Sequence, residues 1–445
     1  MRSSHRLTLC TLLLSLCLIQ PPLQAAESTE TLAFPPGFLW GTATASYQVE
    51  GGIDNDWSQA GLDAGPAVDH YQRYEEDFNA LEQIGTRAYR LSLEWARLEP
   101  QPGQYNREAL EHYRTMLKSL NRRGIQPMVT LFHFTLPPWF AARGGWTREE
   151  NIADFVRFSR WVSHELKDEV NWWFTVNEPL VYAFKSYDAG AWPPFVKNRN
   201  LALKVIRHLI LGHARSYRAI HAADPVAWVS FAKNISLLEP HWPGNPLDQL
   251  MTHLQSYLFN ELFWEAITTG ELHFSVPGLD PIELAPNAAL RGSLDFVAFN
   301  YYTRYLIAAD GGQRTRPNAS VSDLNWEIYP EGMLKALRLA GKYAQRLKIP
   351  IIISENGLAD ARDDRRPAYL LHHLASIARA RAEGIPVQGY LHWTLMDNFE
   401  WADGYAPKFG LLDRERQWRP SARLFQEIIR RNGFPAAWLT HPPTF

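Results

Sequence analysis

Cysteine is nearly absent. The 445-residue chain has 2, Cys10 and Cys17, both close to its start. Beyond them there is no thiol to form a disulfide, so export cannot be inferred from bridges. A dominant charge is missing too: 45 Lys and Arg stand against 47 Asp and Glu, a net charge of −2, which gives no reason to expect nucleic acid or an acidic membrane as partner. No HExxH, CxxC or clustered His/Asp pattern suggests a metal, and no GxGxxG or Walker loop suggests a nucleotide, so no cofactor is expected. No Ser/Gly-rich linker, charge block or low-complexity segment divides the chain, which therefore reads as one domain. The apolar run at Leu7–Ile19 falls short of the roughly 20 residues a membrane span takes.

Apolar and aromatic residues are plentiful. Hydrophobic content is 46%, ample for a large core, and Trp occurs 17 times. Flat indole faces suit sugar rings, but barrel cores use Trp as well, so the count decides nothing alone. Position is more informative. In Lys348-Ile-Pro-Ile-Ile-Ile-Ser-Glu-Asn-Gly-Leu358 three isoleucines run straight into Glu355. β-Branched residues without polar alternation predict a strand buried on both faces, as in a parallel sheet under helices. The Asn-Gly pair then turns the chain, leaving Glu355 at the strand's exit. Trp172-Trp-Phe-Thr-Val-Asn-Glu-Pro179 has the same form, with Pro179 stopping the ladder directly after Glu178. Either glutamate alone could be a structural ion-pair partner. Two at two strand ends are what glycosidic bond cleavage requires, one at the anomeric carbon and one at the leaving oxygen.

The alternation of elements predicts how they could meet. Apolar residues at Val68, Tyr71, Tyr74, Phe78, Leu81 and Ile84 follow one helical face, Gly85 stops it, and Arg87–Leu93 reads as a strand. The same order recurs as Leu117–Gly124 into Gln126–Phe132, and as Leu374–Gly384 into Val387–His392. Further strands are expected from Phe38, at Trp172–Val176, Ala227–Ala232, Leu294–Phe299 and Ile351–Ser354. Eight strands alternating with helices form a closed α/β barrel, in which the fourth and seventh face each other across the mouth. The charged clusters Glu75-Glu76-Asp77, Arg365-Arg366 and Arg430-Arg431 read as solvated surface.

Six blocks in order give the chain a resemblance: Phe38-Leu-Trp-Gly-Thr-Ala-Thr-Ala-Ser-Tyr-Gln-Val-Glu-Gly51, Tyr89-Arg-Leu-Ser-Leu-Glu-Trp95, Thr175-Val-Asn-Glu-Pro179, Asn300-Tyr-Tyr-Thr303, Ser354-Glu-Asn-Gly357 and Trp393-Thr-Leu-Met-Asp-Asn-Phe-Glu-Trp401. From Phe34 to about Phe425 the chain resembles the retaining β-glycosidases of glycoside hydrolase family 1. The resemblance implies a single-domain (β/α)8 TIM barrel over residues 34–437. It implies Glu355 as nucleophile and Glu178 as general acid/base, supported by Arg90, Tyr302 and Asn300. Tyr301, next along the strand, would point the other way and pack. Gln48, His133, Asn177, Glu400 and Trp401 match positions that bind the sugar's hydroxyls, Trp393 the floor it stacks on, and Trp326 the leaving-group platform. Relatives acting on 6-phosphorylated sugars avoid a carboxylate at Glu400, so an unphosphorylated sugar is implied.

The implied activity is hydrolysis of terminal β-D-glucosyl residues, with galactosyl or fucosyl residues as additional substrates. The partner is then a small-molecule β-glycoside or oligosaccharide. A transglycosylase would carry the same residues; a carbohydrate-binding relative without catalysis would lack a glutamate, and both are present. Three stretches depart from the family pattern, Gly52–Trp57, Leu180 and Ser186–Gly190, and all are expected on the leaving-group side. At the start, Arg2 and Arg6 before the apolar run, followed by Gln20-Pro-Pro-Leu-Gln-Ala-Ala26, predict a cleaved signal peptide over residues 1–26 and an exported, periplasmic or extracellular protein. Leu16 before Cys17 disfavours a lipid anchor.

Overall fold

The isoleucine run is buried at every position from Ile351 to Asn356, and it pairs in parallel on both edges. In the computed structural model, which describes residues 30–443, it is the seventh of eight such strands. They are β1 (Leu39–Ala43), β2 (Ala88–Ser92), β3 (Gln126–Phe132), β4 (Trp172–Asn177), β5 (Trp228–Pro240), β6 (Val297–Ile307), β7 (Ile351–Asn356) and β8 (Val387–Trp393). Each pairs in parallel with the next, β8 pairs with β1, and the ring closes. With helices outside it, this is a single (β/α)8 barrel. The signal-peptide reading concerns residues outside those described.

The helices show why they lie where they do. Those following β1 to β4 are α1 (His70–Ile84), α2 (Arg107–Arg122), α3 (Ile152–Leu166) and α4 (Arg199–Ala223). After β5 to β8 come α5 (Leu262–Thr269), α6 (Glu331–Leu347), α7 (Arg366–Ala382) and α8 (Pro420–Arg431). In α2 the Asn106 side chain accepts the Ala109 N–H at the start, and Leu110, Tyr113, Leu117 and Leu120 form the buried stripe. Gly85 ends α1 at φ 89°, a left-handed turn that feeds β2. An antiparallel pair, Thr31–Ala33 with Gly433–Pro435, joins the two ends of the described chain.

Several expectations need correction. β5 and β6 run well past Ala232 and Phe299, pairing as far as Pro240 with Ile307. Apolar runs marked their starts, but Lys233, Asn234 and Asn300 broke the pattern, while the backbone ladder needs no apolar side chain. Asp77 is buried, not solvated, held by His70 Nδ1 at 2.7 Å and Arg416 Nε at 2.8 Å. Arg366 is buried as well: it pairs with Asp363 and donates to the carbonyls of Asp360 and Lys408 at 2.8 and 2.7 Å. It thereby joins the loops that follow β7 and β8. Periodicity located these charges between apolar positions but could not see partners arriving from elsewhere in the chain.

Candidate active site

Glu355 lies inside β7, level with Asn300 of β6. Glu178 comes one residue after β4, with its backbone left-handed at φ 42° and ψ 59°. Its N–H donates to Ala232 O of β5 at 2.8 Å, and Pro179 starts a short helix behind it. A non-glycine residue in that region costs about 1 kcal/mol or more and persists only where its surroundings enforce it. The effect is to turn the carboxylate inward at the C-terminal mouth, where barrels of this type place their chemistry.

The two carboxyls have unequal partners. Arg90 of β2 donates to Glu355 Oε1, and Tyr302 OH donates to Oε2 at 2.6 Å. Arg90 is buried and fully engaged: Nη2 reaches Asn177 Oδ1 at 2.7 Å, Nε reaches Thr130 Oγ1 at 3.1 Å, and the guanidinium lies 4.7 Å from the Phe174 ring centroid. Glu178 receives two neutral amides, Asn300 Nδ2 at 2.8 Å and Asn234 Nδ2 at 2.9 Å, both on Oε1. Its Oε2 has no hydrogen-bond partner among the described residues. Burial pushes the Glu355 carboxyl up to about 7; the Arg90 charge pulls it down and the Glu178 charge pushes it up. Burial also raises Glu178, against the two asparagine amides. Only Glu355 has a cation directly on its oxygens, so it is the member of the pair suited to ionise, while Glu178 is suited to hold a proton.

Beside this pair is a wall of directional groups and rings. Gln48 Nε2 donates to Phe399 O at 2.7 Å, Asn398 Oδ1 at 3.2 Å and Glu400 Oε2 at 3.2 Å. Its own Oε1 is buried without a partner, as is His133 Nδ1. Asn177 Oδ1 accepts from Arg90, so its amide nitrogen faces His133 Nε2 at 3.0 Å. The neutral imidazole then carries its proton on Nδ1, a donor awaiting an acceptor. Burial and the Arg90 charge hold His133 well below the usual histidine range, so it stays neutral. The His133 ring stacks on Trp401 at 5.9 Å and lies 6.1 Å from Trp393. Trp326 borders the opening from another side, edge-on to Tyr302 at 5.6 Å. Unsatisfied directional groups beside aromatic faces suit a polyhydroxylated ring with a C–H surface.

The sequence profile of Glycosyl hydrolase family 1 matches residues 30–434. The chain belongs to glycosyl hydrolase family 1. Beta-glucosidase A of Acetivibrio thermocellus is 31% identical, covering 91% of this chain and 99% of that protein. A beta-glycosidase from Pyrococcus horikoshii superposes with a TM-score of 0.85 at 33% identity, over 92% of this chain and 98% of that one. A beta-glucosidase from Thermotoga maritima in complex with glucoimidazole gives 0.84 at 28% identity, over 91% and 100%. The protein is accordingly an O-glycosyl hydrolase.

All twelve residues singled out by the family 1 resemblance lie on the barrel strands or the segments that follow them, Gln48 and Trp401 on short helical turns. Arg90, Tyr302, Asn300, Asn177 and His133 form a continuous set of contacts with the two glutamates, and Gln48 with Glu400 forms a second. Trp57, expected on the leaving-group side, lies 4.9 Å from Trp401 and donates Nε1 to Phe134 O at 3.0 Å, so it packs behind the wall that carries Trp401. Two neighbours went unrecognised. Neither Asn234 nor Lys233 belongs to a block that carries the resemblance. Their one signal was a polar pair interrupting an apolar strand.

Proposed function

We propose that this family 1 hydrolase is a retaining β-glycosidase acting on terminal, unphosphorylated β-D-glucosyl residues, with galactosyl and fucosyl residues as secondary substrates. The unequal surroundings of the two carboxyls carry this reading. The Glu355 carboxylate attacks the anomeric carbon as its bond to the leaving oxygen breaks, and the Glu178 proton passes to that oxygen. Water then attacks the glycosyl-enzyme, Glu178 takes the water's proton, and Glu355 is released. Glu400 supports the choice of an unphosphorylated sugar: its part-buried carboxyl is held by Gln48 at the wall, and in its ionised form it would repel a phosphate dianion placed there. Asn177, His133, Gln48, Trp393 and Trp401 are assigned to the sugar, and Trp326 to the leaving group.

The decisive measurement is the anomer released first from an aryl β-glucoside, followed by proton NMR. The β-anomer is expected, and initial α-anomer would overturn the mechanism. A panel of aryl β-glycosides and β-linked disaccharides ranks the sugars. We also propose export, on the composition of residues 1–26; fused to a reporter, that segment should direct it out of the cytoplasm.

A further inference from the structure

Lys233 is fully buried, and no carboxylate lies within ion-pair distance of it among the described residues. Its Nζ donates to Asn234 O at 2.6 Å and lies 4.6 Å from the Phe259 ring centroid. One hydrogen bond and one aromatic face are poor compensation for a buried ammonium. On β5 it stands opposite Phe299, while its neighbour Asn234 stands opposite Asn300. Strand alternation therefore turns Asn234 inward, where its amide holds Glu178 Oε1, and turns Lys233 outward behind it.

We propose that Lys233 is a positioning residue for Glu178: its amine anchors the main chain that presents Asn234, and its charge governs how readily Glu178 releases a proton. The proposal rests on Glu178 being the acid/base of the reading above. On the lysine's side, the Glu178 charge favours the ammonium against the effect of burial. Glu178 itself faces Lys233 from β5, Arg90 from β2, Glu355 from β7, Tyr302 from β6 and Glu400 beyond β8. On the turn carrying Phe259, Glu261 is occupied by Tyr343 OH at 3.5 Å.

Burial brings the Lys233 ammonium down to about 7, so both of its forms are populated at neutral pH. A neutral amine beside protonated Glu178 and an ammonium beside its carboxylate carry the same net charge. The first pairing suits the acid of the glycosylation step, and the second suits the base of the hydrolytic step. No proton need pass directly between them; the field of one biases the other.

The test is the pH profile of kcat/KM for purified wild type and Lys233→Met, using a β-glycoside whose leaving group needs protonation. Removing the cation lets Glu178 keep its proton to higher pH, so the alkaline limb should move up by on the order of half a unit to one unit, with the acid limb in place. A uniform loss of activity with both limbs unmoved means a structural role only and overturns the proposal. A second measurement does not depend on that variant folding. In protein labelled with 13C-lysine, the Lys233 side-chain titration midpoint should fall in Glu178→Gln, because the carboxylate no longer favours the ammonium. An unchanged midpoint is equally fatal. Failure of wild type to cleave any β-glycoside would instead refute the glycosidase reading, leaving the titration experiment to judge the coupling.

Discussion

At Glu355 a carboxylate is held by a cation and a phenol, whereas Glu178 is held by two amides, and that difference should separate their mutants. In the proposed mechanism Glu355 is the attacking group, so Glu355→Ala should lower activity by several orders of magnitude on every substrate. Azide could then occupy the space and attack the sugar directly, giving an inverted glycosyl azide. On the same proposal Glu178→Ala removes proton transfer alone. An activated aryl leaving group of low pKa should still glycosylate the enzyme, with a burst followed by a slow phase, while disaccharides are barely cleaved. Azide should speed that slow phase and give a product of retained configuration. Opposite stereochemistry in the two mutants would mean that the roles are reversed. Glu400 has its own test: Glu400→Ser should weaken activity on glucosides and narrow the discrimination against 6-phosphoglucosides. Equal wild-type efficiency on plain and phosphorylated sugars would remove the electrostatic argument.

Elements were legible to the extent that burial and stop signals coincided. β3 matches its expected span because an apolar run starts directly after a helix-ending Gly124. β5 was cut short at Ala232 because Lys233 and Asn234 resemble a loop once apolar character ends, although the ladder continues to Pro240. The same blindness hid the partners of Asp77 and Arg366, which come from other elements. The residues that gather at the mouth were readable because motifs fix their order along the chain; Lys233 was not, because no motif marks it and its proposed action is through space on a residue of another strand. Where two strands approach closely, the sequence offers a further testable detail. A Cβ on Gly357, just past β7, would lie 1.8 Å from Trp393 O at the end of β8. That main chain cannot yield without moving the Trp393 ring beside His133. Gly357→Ala should therefore cost about 1–3 kcal/mol of stability, read as a lowered thermal midpoint, and reduce activity beyond what unfolding explains. A variant with wild-type kcat/KM and midpoint would show that the β7–β8 exit adjusts freely.

For the molecule as a whole, buried ionisable groups set opposing slopes in stability. Burial raises Glu94 and Glu355 from 4.5 to about 7 and Glu400 to about 8. Folded carboxyls that bind protons more tightly than unfolded ones contribute stability below about 4.5, and that contribution is lost as pH rises through 7 to 8. His213 and His373 are lowered from 6.5 to about 4 and about 3, so their contribution is present above 6.5 and is lost as pH falls toward those values. Lys233, lowered from 10.5 to about 7, adds stability only as pH rises above 7 and opposes the carboxyls there. Between pH 4.5 and 6.5 three falling carboxyl contributions outweigh two rising histidines, and from 7 to 8 Glu400 and Lys233 offset each other, so the thermal midpoint should fall from near pH 4.5, most steeply between 6.5 and 7, and level off by pH 8. Glu400→Gln should flatten the decline, gaining more at pH 8 than at pH 5. A midpoint that climbs steadily from pH 6.5 to 8 would contradict this account.

The small clasp of Thr31–Ala33 against Gly433–Pro435 has a practical side. It precedes β1 and follows α8, so it lies at the end of the barrel where strands begin, away from the mouth where Glu178 and Glu355 emerge. An attachment made at Thr31 or Pro435, whether to a solid support, a polymer or a second enzyme, therefore leaves the entrance open to a bulky glycoside. Because the two positions are neighbours, they could also be spliced together and the chain cut open elsewhere, giving a circular permutant whose new termini could be chosen among loops remote from the mouth.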